Sequence, residues 1–418
     1  MAKTFVIVGA SLAGATAAIT LRDAGAAHKV ILIGAEPDPP YERPPLSKSY
    51  LRGTSPFEKA LVRPSAFYAD HGIDAMFATR VTRIDPTSRL VETEDGRRIP
   101  FDALLVATGG RNRQVKIPGS HLDGIYSLRT REDADRIRAE MTPGRRVVVV
   151  GMGFIGSEVA ASLRLNGLDV VAIDPSTTPL FRVLGDAVGR TITALHHGHG
   201  VRTIFEDAVT AFEGTERVSS LVTRRGQRVA CDFVVLGIGI DPVVDLLDGS
   251  GVIVDNGVHV DQYCQTNVAG IFAAGDVANH YHPLFDRRMR VEHWSNAMKQ
   301  AAVAARNMLG QRVAYDEVHW FWSDQYDANL QYAGFHTTWQ RLVVRGSLET
   351  GNYLACYIND GRVDAVVGMN RAKDVRRMIA IIRSRRPVDL DQLQDESVDL
   401  RSLHRLVDEK RPAASPMS

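Results

Sequence analysis

Residues 147–156 read Val147-Val148-Val149-Val150-Gly151-Met152-Gly153-Phe154-Ile155-Gly156, four valines running straight into a glycine-spaced turn. A run of β-branched residues without polar alternation reads as a parallel strand buried on both faces. A helical stretch follows to about Leu165, then a second strand over 169–173 that ends at Asp174. Strand, G-x-G-x-x-G turn, helix, strand and terminal acid is the order in which a chain builds a dinucleotide site. The first glycine permits the tight turn, the last lets the helix lie close to the sheet, and the helix N-terminus offers free N–H groups to a pyrophosphate.

The same order opens the chain. Phe5-Val6-Ile7-Val8 leads into Gly9-Ala10-Ser11-Leu12-Ala13-Gly14, an Ala-rich helix to about Arg22, a strand over 29–33, and Glu36, which lies 22 residues past Gly14. Ser11 replaces the middle glycine, and its small side chain is compatible with an approaching phosphate. The repeat extends further. Gly96 and Gly226, Asp102 and Asp232, and Gly109 and Gly239 are each 130 residues apart. Both stretches read as a glycine-centred hairpin, an aspartate, a buried strand and a glycine. Two copies of a Rossmann-like unit imply two dinucleotides.

The first copy alone has a later partner, a strand over 266–274 that ends in Gly275-Asp276. An acid there can bond a ribityl hydroxyl, which FAD has and NAD lacks; the alternative is an N-capping aspartate. FAD is therefore assigned to the first unit and a nicotinamide dinucleotide to the second. Asp174 accepts from a free 2′-hydroxyl and repels a 2′-phosphate, which predicts NADH over NADPH, while the nearby Arg182 keeps NADPH open.

Composition limits the remaining choices. A chain of 418 residues exceeds one hydrophobic core, and 44% apolar with 24% charged residues is ordinary for a soluble protein. A net charge of +1 gives no argument for nucleic acid. No leader and no long apolar run is evident, so a cytoplasmic protein without a membrane span is expected. Cys231, Cys264 and Cys356 are far apart in sequence, and 40–50 holds no cysteine. That excludes electron exit through an early thiol and leaves direct flavin chemistry. His196-His197-Gly198-His199 has no nearby acidic or cysteine ligand and sits at a helix end, where histidines suit the dipole; no metal site is expected. From about Arg411 the chain reads as a disordered tail.

Tyr41-Glu42-Arg43-Pro44-Pro45-Leu46-Ser47-Lys48, Ala107-Thr108-Gly109, Ala274-Gly275-Asp276, Glu292-His293-Trp294 and Phe321-Trp322-Ser323-Asp324-Gln325 together resemble the FAD-dependent, NADH-using ferredoxin reductases of bacterial oxygenase systems. The resemblance covers nearly the whole chain. It implies an α/β, glutathione-reductase-like fold: two Rossmann-type domains, FAD-binding over 1–111 and 240–316 and NAD-binding over 112–239, plus an α+β C-terminal interface domain over 317–418. It implies electron delivery, one at a time, to an iron–sulfur ferredoxin, usually two-iron, that serves a cytochrome P450 or a ring-hydroxylating dioxygenase, from a monomer or weak dimer. Lys48 is then expected beside the flavin, paired with Glu158, where an ammonium stabilises charge arriving on the ring. Arg43 is expected on the diphosphate, and the helix after Trp294 beneath the flavin pyrimidine. Trp322, with Trp320 next, is expected on the path of electrons to the partner; an aromatic core is the alternative. Arg371, Lys373, Arg376, Arg377, Arg383, Arg385 and Arg386 suggest a basic rim that steers an acidic ferredoxin, or a solvated helix face. Two other readings share these motifs. One is a flavin reductase for rubredoxin or small acceptors, the other a flavin-based interaction protein like apoptosis-inducing factor.

Overall fold

The computed structural model describes residues 2–25 and 28–403, and the expected disordered tail lies outside them. The chain forms two compact units. The first comprises Met1–Gln114, Arg129–Ala134 and Gly239–Glu317, and the second Val115–Leu128, Asp135–Ile238 and Val318–Ser418.

The first unit is built on five parallel strands in the order Ile271–Ala273, Ala103–Val106, Thr4–Val8, Lys29–Ile33, Ile73–Met76. Alternation along Phe5-Val6-Ile7-Val8 divides the core into two faces. Phe5 and Ile7 join the cluster under the helices Leu12–Asp23 and Trp294–Met308. Val6 and Val8 join the opposite cluster, with Ile84, Val91 and Ile99 of a three-stranded antiparallel meander. The two helices lie together through alanines, including Ala13, Ala17, Ala297 and Ala301, whose small side chains let the backbones approach. The strand expected over 266–274 is only Ile271–Ala273, because the Thr266 N–H bonds the Ile271 carbonyl across a turn (2.9 Å).

The second unit repeats the scheme with the parallel order Arg202–Phe205, Asp169–Asp174, Arg146–Val150, Phe233–Leu236, Ile125–Ser127. Its fifth strand precedes the repeat in sequence, whereas that of the first unit follows it. The recurring aspartates have a structural role. Asp102 Oδ2 accepts from the Thr4 N–H at 2.7 Å, and Asp232 Oδ2 from the Arg146 N–H at 2.8 Å. Each fixes the hairpin to the first strand of its sheet.

The C-terminal part of the second unit is an antiparallel sheet in the order Trp320–Gln325, Ala328–Gly334, Arg362–Met369, Asn352–Asn359, Arg341–Ser347, with the helix Ala372–Ser384 against it. Two of its strands are joined by a tight hairpin. Asn359 pairs with Arg362, and Asp360 and Gly361 both take positive φ (48° and 69°), as a two-residue type I′ turn requires. Tyr332, Tyr353 and Tyr357 of this sheet share one hydrophobic cluster with Leu184, Val188 and Ile192 of the helix Phe181–Gly198.

Candidate functional site

The two glycine turns are built alike. Gly9 has φ 115°, and a Cβ there would lie 2.2 Å from the Ala107 carbonyl oxygen; Gly151 has φ 90°, with the Gly237 oxygen 2.6 Å away. A Cβ on Gly14 or Gly156 would lie 1.8 Å from the carbonyl oxygen of Gly9 or Gly151 respectively. Gly153 differs, since a Cβ there would meet nothing within 4 Å. The space in front of the helix Phe154–Leu165 is therefore open, and Ile155 beside it is 45% exposed. In the first unit the helix Leu12–Asp23 begins just after Ser11. A Cβ on Gly275 would lie 3.2 Å from the Ala13 Cβ and 3.7 Å from that of Ala297. The Gly275-Asp276 turn and the N-terminal turns of two helices thus converge. First-turn N–H groups lack intrahelical acceptors, and their dipoles favour an anion. This geometry fits a dinucleotide pyrophosphate.

Around that point the acids and arginines expected at the site form a chain. Glu36 accepts from Arg43 Nη2 at 2.8 Å and from the Tyr41 hydroxyl. The Arg43 guanidinium also donates to the Arg129 carbonyl, and Arg129 Nη2 donates to Asp276 Oδ2 at 2.8 Å. Arg290 bonds Glu292 at 2.5 Å and the Asp276 carbonyl at 3.2 Å. Asp276 is therefore held in an ion pair, and no side-chain cap is present in its short turn. Tyr41, Arg129 and Arg131, which donates to Asp38 at 2.7 Å, join this network. Tyr41 stands in the quoted motif, whereas no local signal marks Arg129 or Arg131. Burial depresses the half-buried His293 to about 4, keeping it neutral at physiological pH. Thr108 Oγ1 donates to the Val243 carbonyl at 2.6 Å, and Gly109 accepts from the Val243 N–H at 3.0 Å, tying 108–109 to the returning chain.

Burial works against a charged Glu36, but Arg43, the Tyr41 hydroxyl and Arg129 outweigh it and hold its carboxyl below the usual range. Its contribution to stability is thus complete above the ordinary carboxylate pKa and is lost as pH falls through the lower folded value. Glu36→Gln is expected to melt below the parent at neutral pH, with the two curves converging below about pH 4. Melting temperatures across that range check this.

In the second unit Asp174 accepts from the Met152 N–H at 2.6 Å (Oδ2) and from the Ser176 N–H at 2.8 Å (Oδ1). Gly239 belongs to the first unit, where its carbonyl accepts from the Arg113 N–H (3.0 Å), and Gly237 is the glycine that touches the Gly151 turn. Lys48, half-buried in the first unit, reaches the Pro44 carbonyl at 3.4 Å. Glu158 is buried in the second unit and accepts from the Ser323 hydroxyl at 2.8 Å. Strand alternation separates the aromatic cluster. Phe321 is core, stacked on Tyr332 and edge-on to Phe154, whereas Trp320 and Trp322 stack on each other on the opposite, half-buried face, 5.5 Å between centroids.

All three cysteines are free and buried. Burial raises the Cys231 thiol to about 11 and the Cys356 thiol to about 12, and pushes Cys264 up as well. None is a competent thiolate near neutral pH. Of the three histidines at the end of the helix Phe181–Gly198, two meet Tyr326 and one turns away from it. His196 bonds the Tyr326 hydroxyl (3.0 Å), His197 bonds Thr203 (2.8 Å), and His199 stacks on the Tyr326 ring.

Residues 3–301 match the pyridine nucleotide-disulphide oxidoreductases. The chain belongs to this family. Residues 320–404 match a second family, the reductase C-terminal domain. Among relatives, the anthranilate 1,2-dioxygenase system ferredoxin–NAD(+) reductase component of Burkholderia cepacia is 39% identical, over 96% of this chain and 99% of its own. Rhodocoxin reductase of Rhodococcus erythropolis is 36% identical, over 95% and 93%. Among solved structures, the covalent putidaredoxin reductase–putidaredoxin complex superposes with a TM-score of 0.95 at 34% identity, covering 98% of this chain and 99% of that one. The oxidoreductase family implies use of a flavin and a pyridine nucleotide. Against the family's name stands the observation that the three thiols of this chain are free and buried.

Proposed function

We propose that the chain is an NADH-dependent ferredoxin reductase that holds FAD in its first unit, NADH in its second, and passes electrons to an iron–sulfur ferredoxin of a P450 or dioxygenase system. The observation that carries this reading is the doubled glycine turn, each with a helix N-terminus behind it, in a chain whose every cysteine is buried. Bound flavin supplies the chemistry that accepts two electrons as hydride and releases them singly. Ser11, Leu12, Ala13 and the first turn of the helix Trp294–Met308 would hold the diphosphate and ring, with Glu36, Arg43 and Asp276 orienting sugar and phosphate. Gly153, Phe154, Ile155 and Asp174 would hold the coenzyme. The roles expected of Lys48, Glu158 and Trp322 belong to the same proposal, as does a cytoplasmic location, which suits three unpaired cysteines. Among the described residues no helix is long and apolar enough to cross a membrane.

The docking surface is narrower than the basic sequence suggests. Arg371 pairs with Asp374 and Glu396, Arg377 with Asp374, and Arg385 with Asp364. Lys373, Arg376 and Arg383 are exposed, spaced at i, i+3 and i+10 along one face of the helix Ala372–Ser384.

Stopped-flow mixing of the FAD-loaded protein with NADH and a two-iron ferredoxin tests the function. Fast flavin bleaching followed by ferredoxin reduction is the expected course. Bleaching without onward transfer to any ferredoxin would move the reading to small acceptors. Glutamate at Lys373, Arg376 and Arg383 is expected to slow ferredoxin association by roughly tenfold at low salt, with the difference shrinking as salt rises.

A further inference from the structure

Beyond Asp174 the second unit opens a cavity of about 550 Å³ lined by Ser176, Thr177, Phe181, Arg182, Arg224 and Arg225, among others. The three arginines come from separate segments. Arg182 stands in the first turn of the helix Phe181–Gly198, and Arg224 and Arg225 in the turn between the strands Val218–Thr223 and Arg228–Ala230. All three are exposed. Among the described residues none is held in an ion pair; Arg224 Nη2 donates to a main-chain oxygen, the Glu206 carbonyl, at 3.1 Å. Most arginines of this chain that converge on one place do so with carboxylates, as Arg43 and Arg129 do. Here Glu206 is the one acid among the lining residues, and Asp207 beside it, which accepts from the Arg225 N–H at 3.3 Å, lies outside the lining.

The acid that should repel a phosphate is also restrained. Both Asp174 oxygens accept main-chain N–H groups, from Met152 and Ser176, which holds the carboxylate against the glycine turn and compensates part of its charge. Pro175 and Ser176 lead directly from it into the cavity wall. A ribose anchored at Asp174 would therefore present its 2′-oxygen toward the arginines. Guanidinium forks match phosphate geometry, and an arginine near this strand end is how dinucleotide sites take a 2′-phosphate. Phe181, 41% exposed, offers a ring face on which an adenine can stack.

We propose that this cavity receives the adenosine 2′-phosphate of NADPH through Arg182, Arg224 and Arg225, so that the chain uses NADPH as well as NADH. The inference rests on the second unit being the coenzyme site, and it widens the preference for NADH that Asp174 alone predicts.

Calorimetry on the full chain with 5′-AMP and with 2′,5′-ADP separates the two questions. The bisphosphate is expected to bind roughly tenfold tighter or better. Arg224→Ala/Arg225→Ala and Arg182→Ala, all at exposed positions that the fold does not need, are each expected to bring the ratio toward one. The kcat/KM for NADPH in flavin reduction should lie within about tenfold of that for NADH and fall in the same variants. Equal binding of the two nucleotides, or a ratio untouched by loss of the arginines, would overturn the 2′-phosphate site while leaving the coenzyme site standing. Binding of neither nucleotide would overturn both.

Discussion

A Gly153→Val variant is expected to keep its fold and its flavin while its KM for NADH rises by roughly a hundredfold, the equivalent of two lost charge-assisted hydrogen bonds. Gly153 has φ −69° and ψ −171°, an extended conformation open to any residue. Its Cβ would meet no atom within 4 Å, so the fold loses nothing to a side chain there. What the side chain fills is the space before the helix Phe154–Leu165. An isopropyl group there holds a pyrophosphate away from the first-turn N–H groups, whose worth falls steeply with distance. Gly156→Ala provides the contrast three residues on. Its Cβ would stand 1.8 Å from the Gly151 oxygen, so helix and strand must separate. That variant should lose melting temperature and coenzyme binding together. Steady-state kinetics with melting curves and flavin content distinguish the two. A Gly153→Val protein with an unchanged KM would remove the helix N-terminus from the coenzyme site.

The same glycines explain why the fold was legible. Valine runs, glycine spacing and a repeat at 130 residues are local signals, and steric exclusion at Gly9, Gly14, Gly151 and Gly156 makes each of them obligatory. The comparisons with known reductases agree with that reading of the whole chain. What stayed hidden is long-range or short. The strand Ile125–Ser127 has three residues, too few to show a period. Arg129 pairs with Asp276 across 147 residues, and no spacing rule reaches that far. Sequence shows charges but not their partners. Asp374 lies three residues from both Arg371 and Arg377 and could have been paired with them by inspection, whereas Glu396 and Asp364 reach their arginines only through the folded sheet. Alternation sorted Phe321 from Trp322 correctly only once the stretch was known to be a strand, since an aromatic triplet alone does not say which ring faces the core.

Arg345→Met is expected to cost about 3 kcal/mol, since buried carbonyls lose their donor at about 1–3 kcal/mol for each one left unsatisfied. Arg345 is 6% exposed, on the strand Arg341–Ser347. Its Nη1 donates to the Asp395 carbonyl at 2.6 Å and reaches that of Leu393 at 3.5 Å. Its Nη2 donates to the carbonyls of Glu396 at 3.0 Å and Val398 at 2.6 Å. One guanidinium thus gathers carbonyls of the chain leaving the helix Leu390–Gln394, where the Asp395 carbonyl also accepts from the Val398 N–H (3.2 Å). Methionine matches the stem but donates nothing, so the Glu396 and Val398 carbonyls must find water or another donor, while the Asp395 carbonyl keeps the Val398 N–H. Lysine keeps the charge on a compact ammonium that cannot span four acceptors, and Arg345→Lys should fall between parent and Met. Melting temperature orders the three proteins, with the Met variant lower by roughly 10 °C. Amide exchange should localise the loss to 393–398, because the sheet keeps its own ladder when the arginine goes. Faster exchange spread evenly over the sheet would mean instead that Arg345 acts through packing of the strand, and that its four carbonyl contacts contribute little.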